Sequence, residues 1–124
     1  MIYTIKNEYL TVDINSLGAE LWSVKSADGC EYIWQGDPEF WSGRAPIMFP
    51  ICGRLFEGKY TYLGKEYTMP NHGIARSSEF SLLKQTDNEI TLSLVADDKT
   101  KESYPFDFIF NNFVFIIKCY GVKP

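Results

Sequence analysis

The sequence predicts an all-β fold of antiparallel strands, on three observations. Apolar residues recur with period two, runs of Gly, Asn, Asp and Pro separate the alternating stretches, and no stretch sustains a helical period. At 124 residues the chain is the size of one domain, and its 45% hydrophobic content is enough to build a core.

Each element follows from local pattern. Residues 2–6 and 9–14 read as strands joined at Lys6-Asn7-Glu8, and residues 21–25 form a third, with Trp22 and Val24 on one face. Asp28-Gly29 is a turn, and residues 31–34 are expected as the next strand. Asp37 and Pro38 suit the N-cap and first position of a single helical turn through Trp41. From Gly43 to Gly53, Pro46 and Pro50 lie among Ile47, Met48, Phe49 and Ile51, which excludes both a helix and a central strand. An extended, apolar, irregular segment is expected there, and its peptide groups need partners.

Residues 59–62 and 65–69 flank Leu63-Gly64 as a tight hairpin, and residues 79–84 and 89–95 form another around Thr86-Asp87-Asn88. The last expected hairpin joins residues 106–110 to 113–117 through Asn111-Asn112, because Asn accepts positive φ. Both of its arms are apolar on both faces, so they need covering on both sides. The expectation is one domain over residues 1–124, with 109–124 an atypical apolar tail.

Composition removes several functions. The net charge is −4 and the 12 Lys and Arg residues are dispersed, whereas nucleic acid demands a concentrated basic stripe. No run reaches the roughly 18 apolar residues of a membrane span. Cys30, Cys52 and Cys119 make an odd number without a paired motif, and no signal peptide precedes Ile2, so a reducing cytoplasm is expected. Phosphate loops, nucleophile signatures and metal-ligand clusters do not occur, and no metal or cofactor is expected.

The candidate site gathers around two irregular loops. His72, the only histidine, stands in Pro70-Asn71-His72-Gly73, where a bend presents its imidazole from a loop. Taken alone, an ordinary turn histidine is the commoner meaning of that pattern. Arg44, Arg54 and Arg76 sit beside small residues, where a backbone can approach a ligand and a guanidinium can fork onto vicinal hydroxyls or a phosphate. A solvated surface role is the usual state of arginine, and the clustering brings the two readings level. The carboxylates Glu31, Glu39, Glu57, Glu66, Glu79 and Glu89 fall at strand ends or turns, and none stands out as a general base.

Five motifs in order carry a resemblance. Leu17-Gly18-Ala19-Glu20-Leu21, Ile33-Trp34-Gln35-Gly36-Asp37, Gly43-Arg44-Ala45-Pro46, Phe49-Pro50-Ile51-Cys52-Gly53-Arg54 and Asn71-His72-Gly73-Ile74-Ala75-Arg76 resemble the aldose 1-epimerases. The nearest branch is the LacX-like and hexose-6-phosphate mutarotase-like group, over residues 1 to about 108. The resemblance implies part of a galactose mutarotase-like β-supersandwich that binds a sugar or sugar phosphate. It implies Arg54 and His72, with Asn71 beside them, as sugar-binding residues, and Arg44 and Arg76 as contributors to an anion site. It also implies that the family's acid histidine and basic glutamate lie beyond this stretch. The expectation is therefore a truncated product with a departing tail and no catalytic residue, weak or inactive as an isomerase. A self-associating remnant, a homodimer built on the apolar arms, is the alternative.

Overall fold

The computed structural model describes residues 1–117. Three antiparallel sheets account for nearly all of the regular structure. The first joins β1 (Ile2–Lys6), β2 (Leu10–Asn15) and β3 (Glu20–Ser26) in chain order. The second is the hairpin of β4 (Lys59–Tyr62) and β5 (Lys65–Thr68). The third joins β6 (Ser81–Gln85), β7 (Glu89–Val95) and β8 (Ile109–Phe115). A short helix, α1 (Asp98–Ser103), links β7 to β8 and is closed by a capping box between Asp97 and Thr100.

Alternation decides which face is buried. Ile5, Val12 and Ile14 of the first sheet and Ile90, Leu92 and Leu94 of the third meet in one core, joined by Ala19, Ala75, Phe80 and Ile116. Each buried Ile or Leu contributes roughly 1.5–3 kcal/mol of transfer free energy. Hydrogen bonds also tie the two sheets: Gln85 Nε2 donates to the Thr4 carbonyl (2.9 Å), and Asn112 Nδ2 donates to that of Ala19 (2.9 Å). Phe49 enters from the irregular segment and stacks on Phe110 at 4.6 Å between ring centroids.

The β4–β5 hairpin turns as expected, with positive φ at both Leu63 (49°) and Gly64 (78°), the two-residue geometry that matches strand twist. Tyr60 OH donates to the Ser103 carbonyl at 2.8 Å and fastens the hairpin to the end of α1.

Two expectations fail. Residues 31–34 form no strand, and only a single bridge pairs Glu31 with Lys25. The Glu31 carboxylate itself accepts from the backbone of Val24 (2.8 Å) and Ile33 (3.0 Å), so a side chain takes the place of the ladder. Nor do Asn111 and Asn112 turn the chain. They lie in the middle of β8, which pairs with β7 from Val95↔Ile109 to Glu89↔Phe115. A hairpin there would have left much of β7 without a ladder on that side. The straight strand satisfies it, and Asn112 faces inward to Ala19. The strand also alternates, with Phe110, Val114 and Ile116 against the core and Ile109, Phe113 and Phe115 exposed. The remainder of the expected tail, residues 118–124, lies outside the described residues.

Candidate functional site

The two irregular loops are bound to each other. Phe49 N–H donates to the His72 carbonyl (3.2 Å), and the Phe49 carbonyl accepts from Ile74 (2.7 Å) and Ala75 (3.2 Å), around a parallel bridge between Phe49 and Gly73. The expected need of this apolar segment for backbone partners is met by the loop that carries the histidine. The contact is close: a Cβ on Gly73, whose φ is +79°, would lie 2.1 Å from the Phe49 carbonyl oxygen. The Phe49–Pro50 peptide is cis.

Beyond Pro50 the loops join again. His72 N–H donates to the Gly53 carbonyl (2.8 Å), and Gly53 N–H donates to His72 Nδ1 (2.9 Å). Because Nδ1 accepts, the proton of the neutral imidazole sits on Nε2, which makes Nε2 a donor with no protein partner among the described residues. His72 holds a left-handed backbone (φ 66°) to make both bonds. Arg54 follows Gly53 directly. Its side chain is exposed and has no hydrogen bond or ion pair among the described residues, as is true of Asn71 and Arg76. Arg76 starts from the short 3-10 turn Ala75–Ser77, whose buried Ala75 belongs to the core.

Arg44 is placed differently. Its backbone and that of Ala45 both donate to Glu20 Oε1, at 2.9 and 2.8 Å. Its guanidinium donates through Nη1 to the Trp22 carbonyl (2.5 Å) and to Gln35 Oε1 (2.6 Å), and lies 4.1 Å from the Trp22 ring centroid. Sequence reasoning picked out the arginine but passed over Glu20, the carboxylate that anchors its loop. No local pattern marks it, since the two amides that it holds lie 24 and 25 positions further along the chain. Glu31, one of six carboxylates that the sequence leaves undistinguished, is set apart by its surroundings. Burial pushes its carboxyl up, yet hydrogen bonds from Ser23 Oγ, Val24 N–H and Ile33 N–H outweigh that and hold it at about 2.

A groove of about 400 Å³ lies next to these loops, lined by Pro70, Ile74, Ser78, Glu79, Leu94 and Thr100, but not by Arg54 or His72. The Gly53–His72 junction carries one imidazole N–H, and Arg54, next in sequence to Gly53, has a guanidinium without a hydrogen bond or ion pair among the described residues. Such a pair can hold neutral hydroxyls or an anion. No group of three or more His, Cys, Asp or Glu among the described residues is arranged to hold a metal ion. No described helix is long and apolar enough to cross a membrane.

The sequence and the fold have known counterparts. The chain is 42% identical over 113 residues to the plasmid-encoded protein LacX of Lactococcus lactis subsp. lactis, and 41% identical over 113 residues to its chromosomal form. Those matches cover 87% of this chain and 38% of each relative, so the chain spans less than half of their length. A galactose mutarotase related enzyme from Lactobacillus acidophilus superimposes with a TM-score of 0.92 at 42% identity, covering 94% of this chain and 39% of that one. A galactose mutarotase-like protein from Lactobacillus casei gives 0.90 at 32% identity, covering 94% and 40%. The family model for aldose 1-epimerase matches residues 1–111, and the chain belongs to the aldose 1-epimerase family.

Proposed function

We propose that this chain carries the sugar-gripping part of an aldose 1-epimerase site and turns over little or no sugar by itself. Arg54 and His72 hydrogen-bond the hydroxyls of one pyranose, with Asn71 beside them. The observation that carries this reading is the pair of hydrogen bonds between Gly53 and His72. They bring the Arg54 loop to the histidine and turn the Nε2 proton toward solvent. Arg76, exposed and without a protein partner among the described residues, is the residue best suited to meet a 6-phosphate. Arg44 would act there only through the nitrogens it does not spend on Trp22 and Gln35.

Anomer interconversion requires a base to take the proton of the anomeric hydroxyl and an acid to protonate the ring oxygen as the C1–O5 bond breaks. Rotation about C1–C2 and the reverse transfers then close the other anomer. The junction offers donors for holding the sugar, and the resemblance to the family implies that the acid histidine and basic glutamate lie beyond the stretch matched here. A cytoplasmic setting fits the free, exposed thiols of Cys30 and Cys52.

Saturation-transfer NMR with a panel of aldoses and their 6-phosphates tests the reading. Contacts should appear for the parent chain and vanish in His72→Ala and Arg54→Ala, while polarimetry shows anomer exchange at the buffer rate. Silence across the whole panel removes the sugar reading. Accelerated exchange removes the claim of weak catalysis.

A second reading has its own observation. Ile109, Phe113 and Phe115 are exposed on β8, so self-association through this strand would give a structural homodimer. A monomer in sedimentation at micromolar concentration would contradict it.

A further inference from the structure

We propose that Tyr60 is a positioning residue for the Gly53–His72 junction: its bond to the Ser103 carbonyl sets how the Arg54 and His72 loops stand to each other. What the junction holds rests on the sugar reading above, whereas its dependence on Tyr60 does not.

The junction is the root of the β4–β5 hairpin, since Arg54 precedes β4 and His72 follows β5. Tyr60 pairs with Tyr67 and Lys59 with Thr68, and Met69 N–H then donates to the Gly58 carbonyl (2.8 Å). The two bonds between Gly53 and His72 come next. A single run of pairings thus joins the hairpin to the site.

Little else fixes the hairpin. A two-stranded ribbon is marginal by itself, and within both strands only Tyr60 and Tyr67 are half-buried, stacked at 5.5 Å between ring centroids. Among the described residues, the bond from Tyr60 OH to the Ser103 carbonyl (2.8 Å) is the only hydrogen bond that ties β4 or β5 to a part of the chain outside residues 53–72. Its acceptor belongs to the last residue of α1, a carbonyl that the helix leaves without an internal partner. Burial, with the neighbouring phenols of Tyr67 and Tyr104, pushes the Tyr60 phenol up, so it stays a donor through neutral pH.

The other side of the site rests on the same stretch. Ring centroids of Tyr62 and Phe106 lie 4.8 Å apart, those of Phe106 and Tyr104 4.8 Å, and those of Tyr104 and Phe49, edge to face, 5.8 Å. The Phe49 peptide in turn bonds His72, Ile74 and Ala75. Residues 103–106 therefore support the hairpin through Ser103 and the irregular segment through Tyr104. The Tyr60 bond fixes the first against the second. Without it the hairpin can pivot at its buried root, Met69, and draw Gly53 away from His72 Nδ1.

The test uses the full chain and begins without ligand. Nitrogen NMR of the imidazole, with the ring neutral, reads the His72 tautomer, and hydrogen exchange reads the junction amides. The parent should show a bare Nδ1 and a protonated Nε2. In Tyr60→Phe the two nitrogen signals should move toward each other as the second tautomer fills, and the Gly53 and His72 amides should exchange ~5-fold faster or more. Tyr67→Phe removes a hydroxyl that has no hydrogen bond among the described residues, and Val12→Ala loosens the core of the first sheet. Both should keep the parent tautomer. Hexose contacts should weaken in Tyr60→Phe and persist in Tyr67→Phe. A parent silent to every sugar removes the sugar reading alone, and the tautomer still decides for or against Tyr60. Parent-like tautomer and exchange in Tyr60→Phe overturn the proposal. So does an equal shift in Val12→Ala, which would make the effect one of general stability.

Discussion

The segment from Gly43 to Gly53 and strand β8 are both rich in apolar residues, yet they are complete to different degrees. The first has no regular structure, but the Phe49 peptide, Gly53 and the amides of Arg44 and Ala45 all find partners in His72, Ile74, Ala75 or Glu20. The second is a regular strand with seven register pairs to β7, and half of its backbone groups face outward unpaired. Regularity and satisfaction are separate properties. An irregular loop can be satisfied on all sides by its neighbours, whereas an edge strand such as β8 keeps one row of peptide groups unpaired however regular it is.

If the loops are held as tightly as their bonds imply, damage there should cost more than damage on β8. The largest effect is expected at Gly73. Its Cβ would meet the Phe49 carbonyl at 2.1 Å and Pro50 N at 2.7 Å, at a φ that side chains avoid. Gly73→Ala should therefore lower unfolding free energy by ~3 kcal/mol or more, read by urea denaturation. Phe113→Ser on the exposed ridge should change it by less than ~0.5 kcal/mol. Equal costs at the two sites would erase the contrast.

Next in size is Glu20. Glu20→Ala orphans the amides of Arg44 and Ala45, at an expected cost of about 1–3 kcal/mol, while Glu20→Gln keeps a carbonyl acceptor and should recover most of it. Hydrogen exchange at those two amides is the direct measurement. Protection that survives Glu20→Ala would mean that the loop is held by something else.

How far this contrast could be read from the sequence depends on the kind of interaction. Period two and Leu63-Gly64 placed the strands, because burial and turn sterics are local. The two prolines marked residues 43–53 as irregular, and the same argument required partners for its peptides. It could not say that those partners were Phe49 to Gly73 and Gly53 to His72, since such bonds span about twenty positions and leave no period behind. Asn111-Asn112 misled for a related reason. Asn is compatible with a turn, but the decision belonged to β7, which needed a neighbour along its whole length. Glu31 shows the converse, a residue that looks like the start of a strand and spends its carboxylate capping the one before.

A smaller effect sharpens the loop side of the comparison. His72 makes two bonds to Gly53 from a left-handed backbone, and Asn tolerates that backbone while its Oδ1 can stand in for Nδ1. His72→Asn should stay within ~0.5 kcal/mol of the parent, whereas His72→Ala should lose about 1 kcal/mol. Both should lose the Nε2 donor, and with it any hexose contact seen by NMR. A parent-like NMR response in His72→Asn would detach the imidazole from sugar binding while leaving its structural role intact.

The smallest effect is a matter of pH and belongs to the turn that follows β3. Glu31 is held at about 2, below its ordinary 4.5, because three hydrogen bonds to its carboxylate outweigh burial. A folded value below the unfolded one means that the ionised group stabilises the fold above about 4.5, and that this contribution drains away as pH falls toward about 2. Glu31→Gln lacks that titration. The melting temperatures of the parent and Glu31→Gln should therefore differ by a constant amount from pH 7 down to about 5 and then converge as pH falls through that window. A difference that stays constant down to the lowest pH would show that the Ser23, Val24 and Ile33 bonds do not favour the charged form. The turn would then be held by its backbone alone, as the neighbouring loop is at Phe49.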